Sequence, residues 1–298
     1  MGCLKTIALA GALTCLGTAG AFAADFLPPP PQMYQPAPPP VEFGGGWYLR
    51  GDVGVGSQDI GKVSGADVER DGGSFYRKSL ADTAFVGGGV GYQFSSFLRF
   101  DVTGEYRTAT KYDTSDRFKY NRFFGDREVQ TNLTNRYTGD LQSSVFLANG
   151  YVDLGTWYGI TPFVGGGVGV AHHRIRNAFD NGLIYNFDAA NGSAINTEAT
   201  GGIAGDASKT NFAWAVHAGL AYHVSPALKL ELAYRYLNMG DAQTGTLSCG
   251  VVCNTGQTFS PLRLKNIESH DFKIGMRWML GVPVAYSEPP PGPLVRKY

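Results

Sequence analysis

Apolar and polar positions alternate with a period of two in eight stretches of the chain, the pattern of strands whose successive side chains point to opposite faces. From Leu98 to Thr108, the residues Arg99, Asp101, Thr103, Glu105 and Arg107 fall on one parity, and Leu98, Phe100, Val102, Gly104 and Tyr106 on the other. From His270 to Leu280 the design recurs, with Phe272, Ile274, Met276, Trp278 and Leu280 opposed by Asp271, Lys273, Gly275 and Arg277. The predicted strands cover 47–56, 83–94, 97–108, 141–154, 161–173, 211–224, 228–237 and 270–280.

The connections alternate in length. Long segments at 57–82, 109–140, 174–210 and 238–269 are interleaved with short turns at Ser95-Ser96, at 155–160 and at Ser225-Pro226. An even number of antiparallel strands of about ten residues, tight turns at one end and long loops at the other, is the signature of an outer-membrane barrel. The expected fold is all-β, an eight-stranded antiparallel up-and-down transmembrane barrel. Closing the sheet leaves no unpaired edge in lipid. The apolar parity then faces lipid and the charged parity faces the lumen.

Composition agrees with closely spaced, twisted strands: 41 Gly, 13% aromatic and 17% charged residues in 298, with a formal net charge of zero. A neutral balance gives no electrostatic case for nucleic acid. At the N-terminus, Lys5 precedes an apolar run from Ile7 to Phe22, and Ala21-Phe22-Ala23 precedes Ala24. This reads as a secretory signal peptide over 1–23, cleaved between Ala23 and Ala24; lipidation at Cys15 fits the preceding residues poorly. A Pro-rich lead at 24–43, a barrel at 44–280 and a Pro-rich tail at 281–298 complete the expected organisation. The expected location is the outer membrane of a bacterial cell.

Under this assignment twelve ionic side chains enter the lumen: Arg50, Asp52, Arg99, Asp101, Glu105, Arg107, Asp153, Glu231, Arg235, Asp271, Lys273 and Arg277. Eight strands enclose just enough room for side chains. An unpaired ion there is very costly, so these groups must pair. Two readings stay open, a structural plug and a narrow polar pore.

The motif Val-Gly-Gly-Gly-Val-Gly occurs at 86–91 and 164–169. A dinucleotide site would need a helix opening at the glycines. Both copies instead continue as strand, so no cofactor is expected, and inward glycines make room for bulky lumen residues such as arginine. Cys249 and Cys253 remain after cleavage and are expected to form a disulfide; no metal ligand set accompanies them. His172, His173, Arg174 and Arg176, with Lys119 and Arg122, form a candidate rim for lipopolysaccharide phosphates, against the plain reading of solvated loops. Asn132-Leu133-Thr134 and Asn191-Gly192-Ser193 match glycosylation acceptors by chance in this setting.

Gly46-Trp47-Tyr48-Leu49-Arg50-Gly51-Asp52-Val53-Gly54, the segments 149–155 and 161–169, and the final 293–298 resemble the small alphaproteobacterial outer-membrane barrel proteins labelled porin family, which are similar to the OmpA transmembrane domain. The resemblance implies a surface-exposed barrel with roles in envelope integrity or host contact and no shared catalytic residues; no wall-anchoring domain of the OmpA kind is expected after the barrel. The tail after Leu280 departs from the usual aromatic strand end. Some eight-stranded barrels are lipid A deacylases carrying a His-x-Ser pair with a Glu further along; His223-Val224-Ser225 has the spacing, but position 237 is Leu237 and the pair sits at a short turn. The expected function is therefore structural and surface-interacting, non-enzymatic and monomeric. Its partners are outer-membrane lipid, lipopolysaccharide and host or cell-surface ligands of the loops, with a small diffusion porin as the alternative.

Overall fold

The computed structural model describes residues 46–251 and 257–280. The expected signal peptide with its Ala23–Ala24 cleavage site, the Pro-rich lead, the tail and Cys253 lie outside the described residues.

The described elements, in chain order, are β1 Trp47–Ser64, α1 Ala66–Arg70, β2 Ser74–Leu80, β3 Thr83–Gln93, β4 Leu98–Phe124, β5 Arg127–Asp153, β6 Ile160–Asp188, β7 Ala194–Ala204, β8 Ala207–His223, β9 Leu228–Asn238, β10 Ala242–Gln243, β11 Leu247–Val251, β12 Thr258–Phe259 and β13 Arg263–Met279. Eight of these strands close a ring of antiparallel pairs in the order β1, β3, β4, β5, β6, β8, β9, β13 and back to β1. Tight turns join β3 to β4 and β8 to β9, with Phe94 N–H donating to the Leu98 carbonyl at 2.9 Å and Val224 N–H to the Leu228 carbonyl at 3.0 Å. The outward parity of the ring is apolar, as Trp47, Leu49, Val53 and Val55 on β1 and Phe272, Ile274, Met276 and Trp278 on β13 are exposed.

The expectation of eight strands describes the ring and not the whole sheet, which contains thirteen strands among the described residues. Two of the four long loops, 109–140 and 174–210, are largely strand: β4 and β5, of 27 residues each, fill the first, and β6, of 29, runs into the second, where β7 follows. The segment expected as a loop at 109–140 is a continuous hairpin that turns at Gly125-Asp126, where Gly125 takes φ 60°, a left-handed conformation natural to glycine. Beyond the ring, β2, β4, β5, β6, β7, β11 and β12 pair into an outward extension of the sheet. Alternation fails to announce it because both faces carry polar side chains: Thr114 and Asp116 on one, Asp113 and Ser115 on the other. A bulge between Arg107 and Thr110 separates the two regimes. One added residue flips the parity, so Arg107 and Thr110 both point inward.

The interior has two storeys. Towards the tight turns it is ionic and aromatic, with Tyr151 and Phe163 packed edge to face at 5.8 Å between ring centres. Towards the extension it is an apolar core that includes Leu141, Val145, Ile175, Leu237, Met239, Leu264 and Ile267. The inward charges are thus confined to part of β1, β4, β5, β9 and β13, and β3, β6 and β8 contribute none of the twelve.

The glycine repeats serve close approach. A Cβ at Gly91 would collide with the Tyr48 ring, at Gly167 with the Asn149 amide, and at Gly169 with the Phe146 carbonyl. The bulky lumen residues that these repeats admit include the rings of Tyr48 and Tyr151, and an arginine side chain is not among the nearest neighbours of the repeat glycines.

Candidate functional site

All twelve predicted lumen ions are inside, and they sort into two neutral sets. The outer set is Glu105, Arg107, Arg235 and Asp271. Arg107 donates to Asp271 at 2.7 and 3.1 Å, and Arg235 donates to Glu105 at 2.7 Å and to Asp271 at 2.6 Å. The inner set holds the other eight. Arg50 reaches Asp52 at 2.9 Å, Asp101 at 2.6 Å and Glu231 at 3.3 Å. Arg99 pairs with Asp153 at 3.1 Å, Arg277 with Glu231 at 3.1 Å and Lys273 with Asp52 at 3.6 Å. Each charge has a counter-charge within reach, the condition for holding ions away from water.

Neutral side chains of the same inward parity join the network, which a list of formal charges leaves out. The Tyr48 hydroxyl donates to Asp101 at 3.1 Å, Asn149 to Asp101 at 2.8 Å, and Arg277 to the Gln93 amide oxygen at 2.9 Å. The Arg99 guanidinium lies 4.0 Å from the Tyr151 ring centre and 4.6 Å from that of Phe163, a cation held against aromatic faces.

The proposed rim does not form one surface. His173 is 1% exposed and points into the apolar core, with Nδ1 against Ser143 Oγ at 2.8 Å and Nε2 donating to the Met239 carbonyl at 2.9 Å. Strand alternation sends it inward while His172, Arg174 and Arg176 stay outside. Arg174 and Arg176 flank Asp206 at 3.3 and 3.7 Å. Register aligns Arg176 with Asp140 and Lys111, so Lys119 lies eight residues, or about 27 Å, further along the sheet. Arg122 is further still and is held by Asn186 at 3.1 Å and the Phe124 ring at 4.7 Å.

In the extension, Asp116 is fully buried and accepts from the Tyr137 hydroxyl at 2.9 Å and from the Asn135 amide at 3.1 Å. Burial raises its pKa from 3.8 to about 6, against the pull of those hydrogen bonds. Nothing in the charge count singles Asp116 out, because its isolation is a tertiary fact.

The outer membrane protein beta-barrel domain model matches residues 12–254. This chain belongs to that family. The ring is completed by β13, beyond the matched residues. The barrel is 32% identical over 254 residues to an uncharacterised protein of Brucella abortus, covering 80% of this chain and 82% of that one. It is 30% identical over 157 residues to outer membrane protein PagN of Salmonella typhimurium, covering 52% and 57% of the two chains. A Rickettsia prowazekii protein named as a candidate adhesin is 26% identical over 235 residues, covering 78% and 86%. Membership places the barrel in the bacterial outer membrane. The His223-Val224-Ser225 spacing meets no shared geometry here: His223 Nε2 bonds Thr161 Oγ1 at 3.1 Å, while Ser225 Oγ accepts from the Leu228 N–H at 3.1 Å.

Proposed function

We propose that the eight-strand ring is the membrane-spanning barrel, that its interior is a structural plug, and that the protein works at the cell surface through the outward extension. The observation that carries this reading is the sheet itself, which continues past the lipid-facing apolar belt for more than a dozen residues in β4 and β5. It ends in exposed Tyr120, Phe123 and Phe124 beside Lys119. Exposed aromatic and basic side chains on a rigid sheet suit recognition of another surface. The candidate adhesin among its relatives supports the same reading.

His172, Arg174 and Arg176 lie outside the ring just above the apolar belt, where lipopolysaccharide phosphates would meet guanidinium groups. The barrel acts as a monomer in this reading, with no nucleic-acid partner, no cofactor and no catalytic role. The expected pair Cys249–Cys253 would tie the segment after β11.

Adherence of a Gram-negative host displaying the full barrel, compared with a variant in which Tyr112 to Tyr137 is replaced by a tight turn, tests the proposal. Loss of adherence at equal surface display is the expected result; unchanged adherence would remove the extension from the function.

A further inference from the structure

Among the described residues, the extension encloses a cavity of about 510 Å³ between α1, the β4–β5 and β6–β7 hairpins, β11 and the segment leading into β13. This volume is within the range of ligand pockets. Its wall includes the aromatic rings of Phe118, Tyr120, Tyr137 and Phe259 and the carboxylates of Asp67, Asp71 and Asp180. No Lys, Arg or His lines it among the described residues.

The carboxylates are not equivalent. Asp67 is already occupied, paired with Arg70 at 3.1 Å and accepting from the Ser260 N–H at 2.5 Å, and Asp71 takes the other side of Arg70 at 2.9 Å. Asp180 is partly buried in the wall; its Oδ1 has no hydrogen-bond partner among the described residues, while the backbone N–H groups of Gly202 and of Asp180 itself act on the carboxyl against the effect of burial. Burial raises the pKa of Asp180, and Asp116, itself buried close by, feels its charge. A buried acceptor left without a donor costs free energy, more when it is charged. A cation delivered there would remove that cost, and electron-rich ring faces attract cations that carry an apolar body.

We propose that this cavity binds an organic cation, an ammonium or guanidinium group on an apolar stem, with Asp180 as counter-ion and the four rings as its cage. The proposal deepens the surface-interaction reading and rests on it for biological purpose, but the site stands on its own geometry. The same chemistry is offered by a free small amine and by a Lys or Arg side chain of a partner.

Calorimetric titration of the folded full chain in detergent, with benzyltrimethylammonium as the cationic probe and benzyl alcohol as its neutral counterpart, decides between outcomes. Saturable binding of the cation, weakened at least tenfold in Asp180→Asn while benzyl alcohol is unaffected, is the expected result. Absence of cation binding, equal binding of the two probes, or an Asp180→Asn variant with unchanged affinity overturns the proposal. Heat-shifted gel mobility verifies that the variant is folded, and Tyr120→Leu, at an exposed ring, gives a second weakened variant. A short Arg-containing peptide that competes more tightly than the amine assigns the source to a protein partner; the reverse order assigns it to a small amine, and both uphold the chemistry. Adherence lost on clipping the extension, together with no cation binding, leaves the surface role standing and this site refuted. Cation binding with unaltered adherence does the opposite.

Discussion

Arg235 on β9 donates to Glu105 on β4 at 2.7 Å, and these two strands are diametrically opposed in the ring of eight. The bond therefore crosses the full width of the interior. Glu231 on β9 makes a second such crossing, 3.5 Å from Arg99 on β4.

Removing one member of the outer set leaves a buried charge in excess. Glu105→Leu is expected to lower stability by about 3–5 kcal/mol, read as a shift in the urea midpoint of heat-modifiable gel mobility. The double change Glu105→Leu with Arg235→Met leaves Arg107 and Asp271 as a matched pair. It is expected to recover most of the loss; a double variant as unstable as the single one would refute the neutral-set argument.

Planar-bilayer recording of the refolded barrel is expected to give no discrete conductance steps. Two barriers lie in series, the ion pairs and, beyond them, the apolar core around Leu141, Leu237 and Met239. The Glu105→Leu/Arg235→Met double variant is expected to stay silent for the same reason. Reproducible steps from the unaltered protein would establish a diffusion pore instead.

Gly169→Ala would drive a Cβ into the Phe146 carbonyl, whereas a Cβ at Gly51 meets nothing within 4 Å. The first change is expected to cost about 1–3 kcal/mol, as overpacking does, and Gly51→Ala to be neutral. Equal unfolding midpoints for the two variants would contradict the close-approach account of the repeat.

Asp116 makes the extension pH-sensitive. Its pKa is raised on folding from 3.8 to about 6, so the folded state holds the proton more tightly. The resulting stabilisation is fully present below about pH 4, falls as the pH climbs towards 6, and is gone above it. The difference amounts to about 3 kcal/mol. Amide exchange across residues 110–140 is expected to be slower at pH 5 than at pH 8, and Asp116→Asn is expected to flatten that dependence; a wild-type hairpin equally protected at both values would exclude the effect.

The candidate rim shows where sequence reasoning stopped. His172, His173 and Arg174 are neighbours in the chain, yet strand geometry places His173 in the core and the other two outside. Parity along 161–173 separates them, because alternate residues of a strand face opposite sides. Asp180 and the four cage rings carry no such signal, since they come from hairpins whose alternation is lost.

The ring is legible in the chain: period-two patterning with an apolar and an ionic face admits a closed antiparallel sheet, because lipid penalises any other arrangement of backbone polar groups. Parity also puts the twelve lumen ions on the inward face, although it assigns Lys229, in line with Glu231 and Arg235 and half-buried beside Arg277, to that face as well. Which ion meets which, the apolar core above them and the cavity in the extension are products of the folded arrangement. Those depend on contacts between strands distant in the chain, and outside the membrane water satisfies polar groups on either face, so no alternation records which side will be buried.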